Sequence, residues 1–267
     1  MIEGALERFG EAYASHRESE GRRLTADALA ELPYLARGPL AQQWGVRART
    51  FDSFMRRVLR PERTRLRRPL TLLDLGAGNG WLSYRAAIEG DAAIALDIRT
   101  DSVDGLGAAA ALARRTQDRF RCVRASFQSI PLDDSAVDIA VFNASLHYAT
   151  DLGTALAEAG RVVRPGGCIA ILDSPFYARE IDGLRMVAEK HAHAAGRFGD
   201  AAAVLLGPPF IEFLTRERLR AASRATGLRW QRQRVAYPLW YELRPIKALL
   251  AAARRPSRFD LWVARRP

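Results

Sequence analysis

The chain has 267 residues, of which 48% are hydrophobic and 27% charged, a composition that suits one large α/β domain or two small ones and excludes a disordered chain. No stretch approaches the ~18–20 consecutive apolar residues that a membrane span needs, and two cysteines exclude a disulfide-rich scaffold. The amino-terminal sequence MIEGALERFGEAY lacks the apolar core of a secretory signal, so we expect a reduced, cytoplasmic protein.

Positive charge is concentrated in two segments of the chain, whose formal net charge is +11. Residues 47–68 have a net charge of +7 and residues 211–267 a net charge of +10, whereas the remainder is mildly acidic. These basic segments favour an anionic partner, although an arginine-rich composition is by itself weak evidence for nucleic-acid binding.

The first 60 residues are predicted to be mainly helical, because apolar residues recur at i, i+3, i+4, i+7 and i+8 along one face. The members of this face are Phe51, Phe54, Met55, Val58 and Leu59. We expect Pro61 to end this helix and the arginine-rich residues 62–68 to form a linker.

Strands and helices alternate from residue 70 to residue 173. Each predicted strand is a continuous apolar run, which is typical of a parallel sheet covered on both faces. A turn is predicted at residues 164–167, and Cys122 and Cys168 are expected to be buried in strands. The predicted strands are 70–75, 92–96, 120–125, 137–143 and 168–173, and the predicted helices are 81–89, 105–115 and 154–163.

The carboxyl-terminal part is predicted to be mostly helical before two further strands. The expected elements are a helical stretch over 176–211, a helix from its cap Thr215 to about Thr226, strands at 229–237 and 258–264, and an amphipathic helix over 246–253 between those strands.

The most informative motif joins the first predicted strand to the helix that follows it. Its turn reads Gly76-Ala77-Gly78-Asn79-Gly80 and is preceded by Asp74. Glycines allow positive φ angles and a close approach of the backbone to a ligand. A dinucleotide fingerprint would need its third glycine at Trp81, so a pyrophosphate site is not expected. The Asp74 carboxylate favours an ammonium group instead.

A second carboxylate, Asp97, ends the next predicted strand. It lies 17 residues after Gly80, where it can accept hydrogen bonds from both hydroxyls of a ribose. A ribose clamp without a phosphate site indicates a nucleoside ligand with a positively charged amino-acid tail. S-adenosylmethionine is such a ligand.

Four motifs at coherent spacing resemble those of class I S-adenosylmethionine-dependent methyltransferases, in the broad group that methylates small molecules and lipids. They are LLDLGAGNG at 72–80, IALDI at 94–98, SIPLDDSAVDIAVFNASLHY at 129–148 and RVVRPGGCIAILD at 161–173. The resemblance implies a Rossmann-like α/β fold, with a seven-stranded, mostly parallel sheet and helices on both faces. It also implies a helical cap over residues 1–68 and a methyltransferase domain over 69–267, with a helical insertion at 176–214.

The resemblance further implies contacts with the cofactor. These are Asp74 and the Gly76–Gly80 turn for the methionine moiety, Asp97 for the ribose, Ile98, Ser126 and Phe127 for the adenine, and Asn143 and Ala144 for the sulfonium. Many relatives have an aspartate where Ser126 stands, so a weaker contact with the adenine amino group is expected here. Relatives also fold their N-terminal helices over the opening, which would place Tyr34, Trp44 and Phe51 near it.

His147 follows the fourth predicted strand on the ligand side. It is a candidate general base, because an imidazole with a pKa near 6.5 suits proton removal from an O or N acceptor; packing in the pocket is the alternative. No metal site is predicted, since His191 and His193 lack a third ligand.

The sequence therefore predicts an enzyme that transfers a methyl group from S-adenosylmethionine to a small-molecule acceptor. Asn143-Ala144-Ser145-Leu146 stands where enzymes that methylate the amines of nucleic-acid bases carry an Asn/Asp-Pro-Pro-Tyr/Phe element, so nucleic acid is not the expected partner. Three alternatives stay open: an RNA methyltransferase, a lipid or quinone methyltransferase in peripheral contact with a membrane, and a non-catalytic cofactor-binding module. The oligomeric state is also left open.

Overall fold

The computed structural model describes residues 2–267 and contains a seven-stranded sheet in the order β3-β2-β1-β4-β5-β7-β6. Strands β1 to β5 are parallel, and β7 is antiparallel to both of its neighbours. This architecture confirms the predicted fold class. The strands are β1 (Thr71–Leu75), β2 (Ala92–Asp97), β3 (Phe120–Arg124), β4 (Val137–Asn143), β5 (Val163–Leu172), β6 (Arg229–Gln233) and β7 (Leu261–Arg265).

Helices lie before, between and after these strands. They are α1 (Ile2–Ser19), α2 (Ala26–Glu31), α3 (Ala41–Phe54), α4 (Arg60–Leu66), α5 (Trp81–Ile88), α6 (Leu106–Ala113), α7 (Leu152–Val162), α8 (Glu180–Ala192), α9 (Ala194–Phe198), α10 (Ala202–Leu206), α11 (Arg216–Ala222), α12 (Leu239–Glu242) and α13 (Arg244–Leu250). Helices α8 to α10 fall within residues 176–214. The domain boundaries given above remain predictions.

Alternate residues of the central strands face two separate cores. Leu72 of β1 packs in one core with residues of α3, α5 and α6, whereas Leu73 packs in the other with residues of α7 and α11. This period of two explains why the strands read as continuous apolar runs: both faces of the sheet are covered.

The helical run that contains Pro61 continues through the proline, so the predicted helix end and the linker at 62–68 are both wrong. A π-helical turn at Met55–Leu59 joins α3 directly to α4. Pro61 occupies the first turn of α4, where its missing amide hydrogen is not needed. The helix ends instead at Arg67, which has a left-handed conformation with φ of 52°.

Other differences concern the edges of elements. Residues 164–167 form a bulge within β5 rather than a turn before it, because the register with β4 jumps from Val137↔Val163 to Ile139↔Cys168. Cys122 is exposed, since β3 is an edge strand, whereas Cys168 is buried as expected.

The last elements are shorter than predicted. Thr215 does cap α11 by accepting a hydrogen bond from the Arg218 amide at 3.1 Å, but that helix ends at Ala222. Strand β6 ends at Gln233 rather than Tyr237, and β7 begins at Leu261 rather than at residue 258.

Arginines of the basic segment 47–68 connect α4 to the sheet. Arg63 donates to both carboxylate oxygens of the fully buried Asp91, at 3.1 and 2.6 Å, and the Leu70 amide donates to the same group at 2.9 Å. Arg68 binds Asp138 in the same two-pronged way, at 2.8 and 2.7 Å. These pairs fix where β1 starts, and they neutralise part of the positive charge.

We expect Asp91→Ala to lower the free energy of unfolding by about 2–4 kcal/mol, because it removes a buried charge-assisted pair and leaves the Leu70 amide without its acceptor. Glu18→Ala is the matched control, since it breaks a carboxylate–arginine pair that is exposed on both sides. Urea unfolding of both variants measures the difference. Equal effects would contradict the role given to Asp91.

Candidate functional site

A cavity of about 290 Å³ opens at the edge of the sheet where β1, β2 and β4 end. Ligands of open parallel sheets bind at this edge. Ten of the thirteen residues predicted for the site line this cavity: Gly76, Ala77, Gly78, Asn79, Asp97, Ile98, Ser126, Phe127, Asn143 and Ala144. Asp74, Gly80 and His147 do not.

The glycine turn is fixed by contacts that leave no room for a side chain. Gly76 has a φ of +71°, and a Cβ atom built on it would lie 2.5 Å from the Cβ of Ser145. The amides of Gly76 and Ala77 both donate to the Leu96 carbonyl, at 2.8 and 3.0 Å. Gly80 also has a positive φ, but it packs against the Phe120 ring and so acts in the fold rather than in the cavity.

Asp97 links the glycine turn to the end of β2. One carboxylate oxygen accepts from the Gly78 amide and the other from the Arg99 amide, both at 2.8 Å. Burial raises the pKa of this carboxyl, and the Arg99 charge and the two amides oppose that effect. A carboxylate has about four acceptor positions, so two stay available toward the cavity.

Asp74 lies below the turn and is fully buried. The Ser83 hydroxyl donates to Oδ2 at 3.0 Å, while Oδ1 has no hydrogen-bond partner among residues 2–267. Burial raises the pKa of this carboxyl to about 7. A buried acceptor without a donor is costly, and Asp74 does not itself line the cavity.

The segment after β4 forms another wall of the cavity. Oδ1 of Asn143 is buried and has no hydrogen-bond partner within the described chain. Ala144 has a φ of +56°, and its amide donates to the Leu172 carbonyl at 2.9 Å. The Ser145 hydroxyl donates to the Leu75 carbonyl, which ties this segment to β1.

The N-terminal helices supply the remaining wall. Trp44 lines the cavity, as expected, but Tyr34 and Phe51 do not. Sequence reasoning missed several lining residues, among them Phe9, Tyr13, Arg17, Arg22, Arg47 and Phe210. The hydroxyls of Tyr13 and Tyr148 lie 2.9 Å apart and join α1 to the loop after β4. The aromatic residues of α1 recur at helical spacing, but the sequence does not show which surface they cover.

Arg47 of α3 is a cation in this wall whose electrostatic partner, the buried Asp173 carboxylate, lies beyond ion-pair distance. It stacks on the Trp44 ring at 4.9 Å, and no carboxylate of the described residues lies within 4 Å of its guanidinium. Burial lowers its pKa, as expected for a desolvated cation. An anionic group in the cavity would relieve this cost.

His147 lines a second cavity of about 250 Å³, which shares the side chains of Phe9, Tyr13, Tyr148 and Phe210 with the first. The residue is half-buried, and its Nδ1 atom is buried with no hydrogen-bond partner among the described residues. Burial, reinforced by the positive charges of Arg17, Arg47 and Lys190, lowers the pKa of His147 to about 3. A pKa this low makes His147 a weaker general base than an ordinary imidazole, because the site is desolvated and cationic, and its role as a base stays a prediction.

Two further features of residues 2–267 bear on the kind of site. No group of three or more His, Cys, Asp and Glu side chains converges there to hold a metal ion. None of the helices described has both the length and the apolar character needed to cross a bilayer.

Part of the chain around the cavity is similar to known proteins. Residues 73–171 match the model of a family described as a methyltransferase domain. Malonyl-[acyl-carrier protein] O-methyltransferase of Yersinia pestis is 37% identical over 98 residues, which are 37% of this chain and 34% of the relative. An uncharacterized methyltransferase of Mycobacterium bovis is 34% identical over 106 residues, 38% of this chain and 49% of the relative. The chain thus spans about a third to a half of the length of these curated relatives.

Among solved structures, the chain resembles geranyl diphosphate C-methyltransferase of Streptomyces coelicolor, solved with Mg²⁺, geranyl diphosphate and S-adenosylhomocysteine. The TM-score is 0.57 at 18% identity, with 86% of this chain and 85% of that chain covered. At this identity the likeness shows the fold.

Gly76→Ala is expected to destabilise the protein more than Gly21→Ala. Both positions have nearly the same φ, +71° and +73°, so both variants carry left-handed strain of about 1 kcal/mol. Only Gly76 adds a clash, because no atom lies within 4 Å of a Cβ at Gly21. Thermal unfolding measures the difference, and Ser145→Gly should recover part of the Gly76→Ala loss. Equal shifts in Tm would contradict the packing described for the turn.

The imidazole of His147 is expected to stay neutral from about pH 4.5 to pH 8, because its pKa lies near 3. The NMR signal of its ring Cε1–H, assigned by comparison with His147→Gln, should not shift over this range. A titration midpoint near pH 6.5 would show that the ring is hydrated rather than buried.

Proposed function

We propose that this chain, whose residues 73–171 form a methyltransferase domain of the class I, S-adenosylmethionine-dependent type, methylates a small-molecule acceptor. The observation that carries the proposal is the cavity that brings the glycine turn, Asp97 and Asn143 together beneath the N-terminal helices. The sequence alone predicts the same residues as contacts of the cofactor.

The cavity supports a specific orientation of the cofactor. The ribose hydroxyls donate to Asp97, and the adenine lies between Ile98 and Phe127. The sulfonium faces the unpartnered amide oxygen of Asn143, and the ammonium group lies on the glycine turn. The placement at Asn143 gives a partner to a buried acceptor, and the ribose uses the acceptor positions of Asp97 that the two backbone amides leave free.

The amino-acid carboxylate of the cofactor is assigned to Arg47. This guanidinium is a lining cation with no carboxylate of the described residues within 4 Å, whereas Arg22 pairs with Glu20 at 3.1 Å and Arg17 with the same residue at 2.8 Å. A carboxylate at Arg47 would relieve the cost of a desolvated cation. The contact would also hold α3 of the cap over the bound cofactor.

The acceptor is assigned to the second cavity, which adjoins the cofactor cavity at the side chains that the two share. In the transfer step the bond from the methyl carbon to sulfur breaks as the bond to the acceptor nucleophile forms, and S-adenosylhomocysteine leaves. Positioning of the two reactants and exclusion of water supply most of the rate. Neutral His147 can accept a hydrogen bond from an acceptor hydroxyl or amine and so orients it, but with a pKa near 3 it holds a proton poorly.

A small acceptor is favoured over nucleic acid because much of the basic segment 47–68 is already neutralised. Arg60, Arg63, Arg65 and Arg68 all lie in ion pairs with carboxylates of the chain. The malonyl acceptor in the name of the Yersinia pestis relative is not transferred to this chain, since the match spans a third of that relative.

Calorimetric titration with S-adenosylhomocysteine tests the function, and 5′-methylthioadenosine, which lacks the amino-acid end, serves as the second ligand. Micromolar binding of S-adenosylhomocysteine by the wild type is expected. Asp97→Ala should weaken both ligands at least about tenfold, because both contain the ribose. Failure of folded wild type to bind S-adenosylhomocysteine would overturn the proposed function.

Arg47→Gln is expected to change the affinity for only one of the two ligands. It should weaken S-adenosylhomocysteine about tenfold or more, because the variant loses a charge-assisted pair in a desolvated site, and leave 5′-methylthioadenosine unchanged. Equal weakening of both ligands would indicate a general effect on the cavity. No effect on either would contradict the assignment of the carboxylate to Arg47.

A further inference from the structure

Large apolar side chains are exposed in one short part of the chain. Nine large apolar side chains are exposed in the described structure, and five of them lie within residues 239–250. These five are Leu239 (72% exposed), Trp240 (39%), Ile246 (55%), Leu249 (75%) and Leu250 (83%). Single exposed apolar residues are ordinary, whereas a cluster on two consecutive helices marks an interaction surface. We call helices α12 and α13 with these five residues the apolar patch.

The apolar patch lies at the same edge of the sheet as the cofactor cavity. Strands β5 and β6 are both antiparallel to β7, so β6 runs parallel to β5 and ends at the edge where β5 ends. Helices α12 and α13 connect the end of β6 to the start of β7 and therefore begin at this edge. They do not line the cavity itself.

Unpaired positive charge accompanies the apolar patch. Residues 234–258 contain six basic residues and one acidic residue, Glu242. The Glu242 carboxylate forms ion pairs with Arg258 at 2.7 Å and with Arg234 at 3.5 Å. Lys247 and Arg255 are exposed, and neither the Lys247 ammonium nor the Arg255 guanidinium has a carboxylate of the described residues within 4 Å, although the Arg255 amide donates to Asp182 at 3.1 Å. Exposed apolar side chains beside unpaired cations are complementary to an anionic lipid surface.

We propose that the apolar patch docks this protein on a membrane surface that contains anionic lipid. Leu249 and Leu250 enter the interface between headgroups and acyl chains, and Lys247 and Arg255 lie at the level of the headgroups. A second copy of the chain fits this surface less well, because a twofold contact would bring the same cations together. If the proposed function holds, docking brings the cavity edge toward the membrane and selects an amphiphilic acceptor carried in the lipid surface.

Co-sedimentation of the full chain with vesicles tests docking. The vesicles contain phosphatidylcholine alone or phosphatidylcholine mixed with phosphatidylglycerol. The wild type should sediment with the anionic vesicles, weakly or not at all with the neutral ones, and less at high salt. The double variant Leu249→Gln/Leu250→Gln should bind anionic vesicles at least about tenfold more weakly, because two large apolar side chains are lost from the interface.

Two further variants separate the apolar contribution to vesicle binding from the electrostatic one. Ile88→Gln changes another exposed apolar residue (49% exposed), at the far end of α5, and should bind anionic vesicles like the wild type. Lys247→Gln/Arg255→Gln should bind anionic vesicles more weakly and lose most of its salt dependence. Thermal unfolding shows that each variant is folded, and this control does not depend on the proposed function.

The following results would overturn docking: no wild-type binding to anionic vesicles, equal binding by the Leu249→Gln/Leu250→Gln variant, or equal loss in Ile88→Gln. Sedimentation velocity tests whether a second copy of the chain occupies the apolar patch instead. A wild-type dimer that the Leu249→Gln/Leu250→Gln variant abolishes would assign the apolar patch to that second copy. Vesicle binding without S-adenosylhomocysteine binding would overturn the proposed function and leave docking supported. The reverse result would overturn docking alone.

Discussion

The hydrogen bonds of the Asp97 carboxylate hold the candidate site together. One oxygen accepts from Gly78 in the glycine turn and the other from Arg99 in the loop after β2. Burial of the carboxylate is unfavourable, and the two amide donors and the nearby Arg99 charge offset that cost. The interaction thus fixes the turn against the end of β2 while it directs the remaining acceptor positions toward the cavity. The same group serves the fold and, in the proposed function, the ribose.

The sheet provides only one half of the cavity, and the N-terminal helices provide the other. Helix α1 contributes Phe9 and Tyr13, and α3 contributes Trp44 and Arg47. The pair of hydroxyls at Tyr13 and Tyr148 joins the two halves directly. The cap thus covers part of the cavity and supplies Arg47, a cation with no carboxylate of the described residues within 4 Å. Burial, reinforced by the positive charges of Arg17, Arg47 and Lys190, explains why the pKa of His147 in the adjoining cavity is so far below its ordinary value.

The parts of the site that could be predicted from the sequence are those encoded locally. A strand, a glycine turn and a helix follow one another within ten residues, so the positions of Gly76 and Gly78 could be predicted from their order along the chain. Asp97 could be predicted because parallel strands end at a common edge. The cap could not be predicted in the same way, since the contact between Tyr13 and Tyr148 spans 135 positions and depends on how α1 packs.

The structure around Pro61 likewise could not be predicted from the local sequence. A proline is expected to end a helix, but a π turn before it and a first-turn position within α4 accommodate the ring. Two arginines of the predicted linker instead form bidentate ion pairs, Arg63 with Asp91 and Arg68 with Asp138. Their acidic partners lie 28 and 70 positions away, so local patterns could not identify them.

A crystal structure of the chain with S-adenosylhomocysteine tests the central claim most directly. The account predicts that both ribose hydroxyls donate to Asp97 while the Gly78 amide keeps its hydrogen bond to the same carboxylate. A ligand whose ribose lies away from Asp97, or an Asp97 that releases Gly78 to bind it, would contradict the shared role of this group in fold and site.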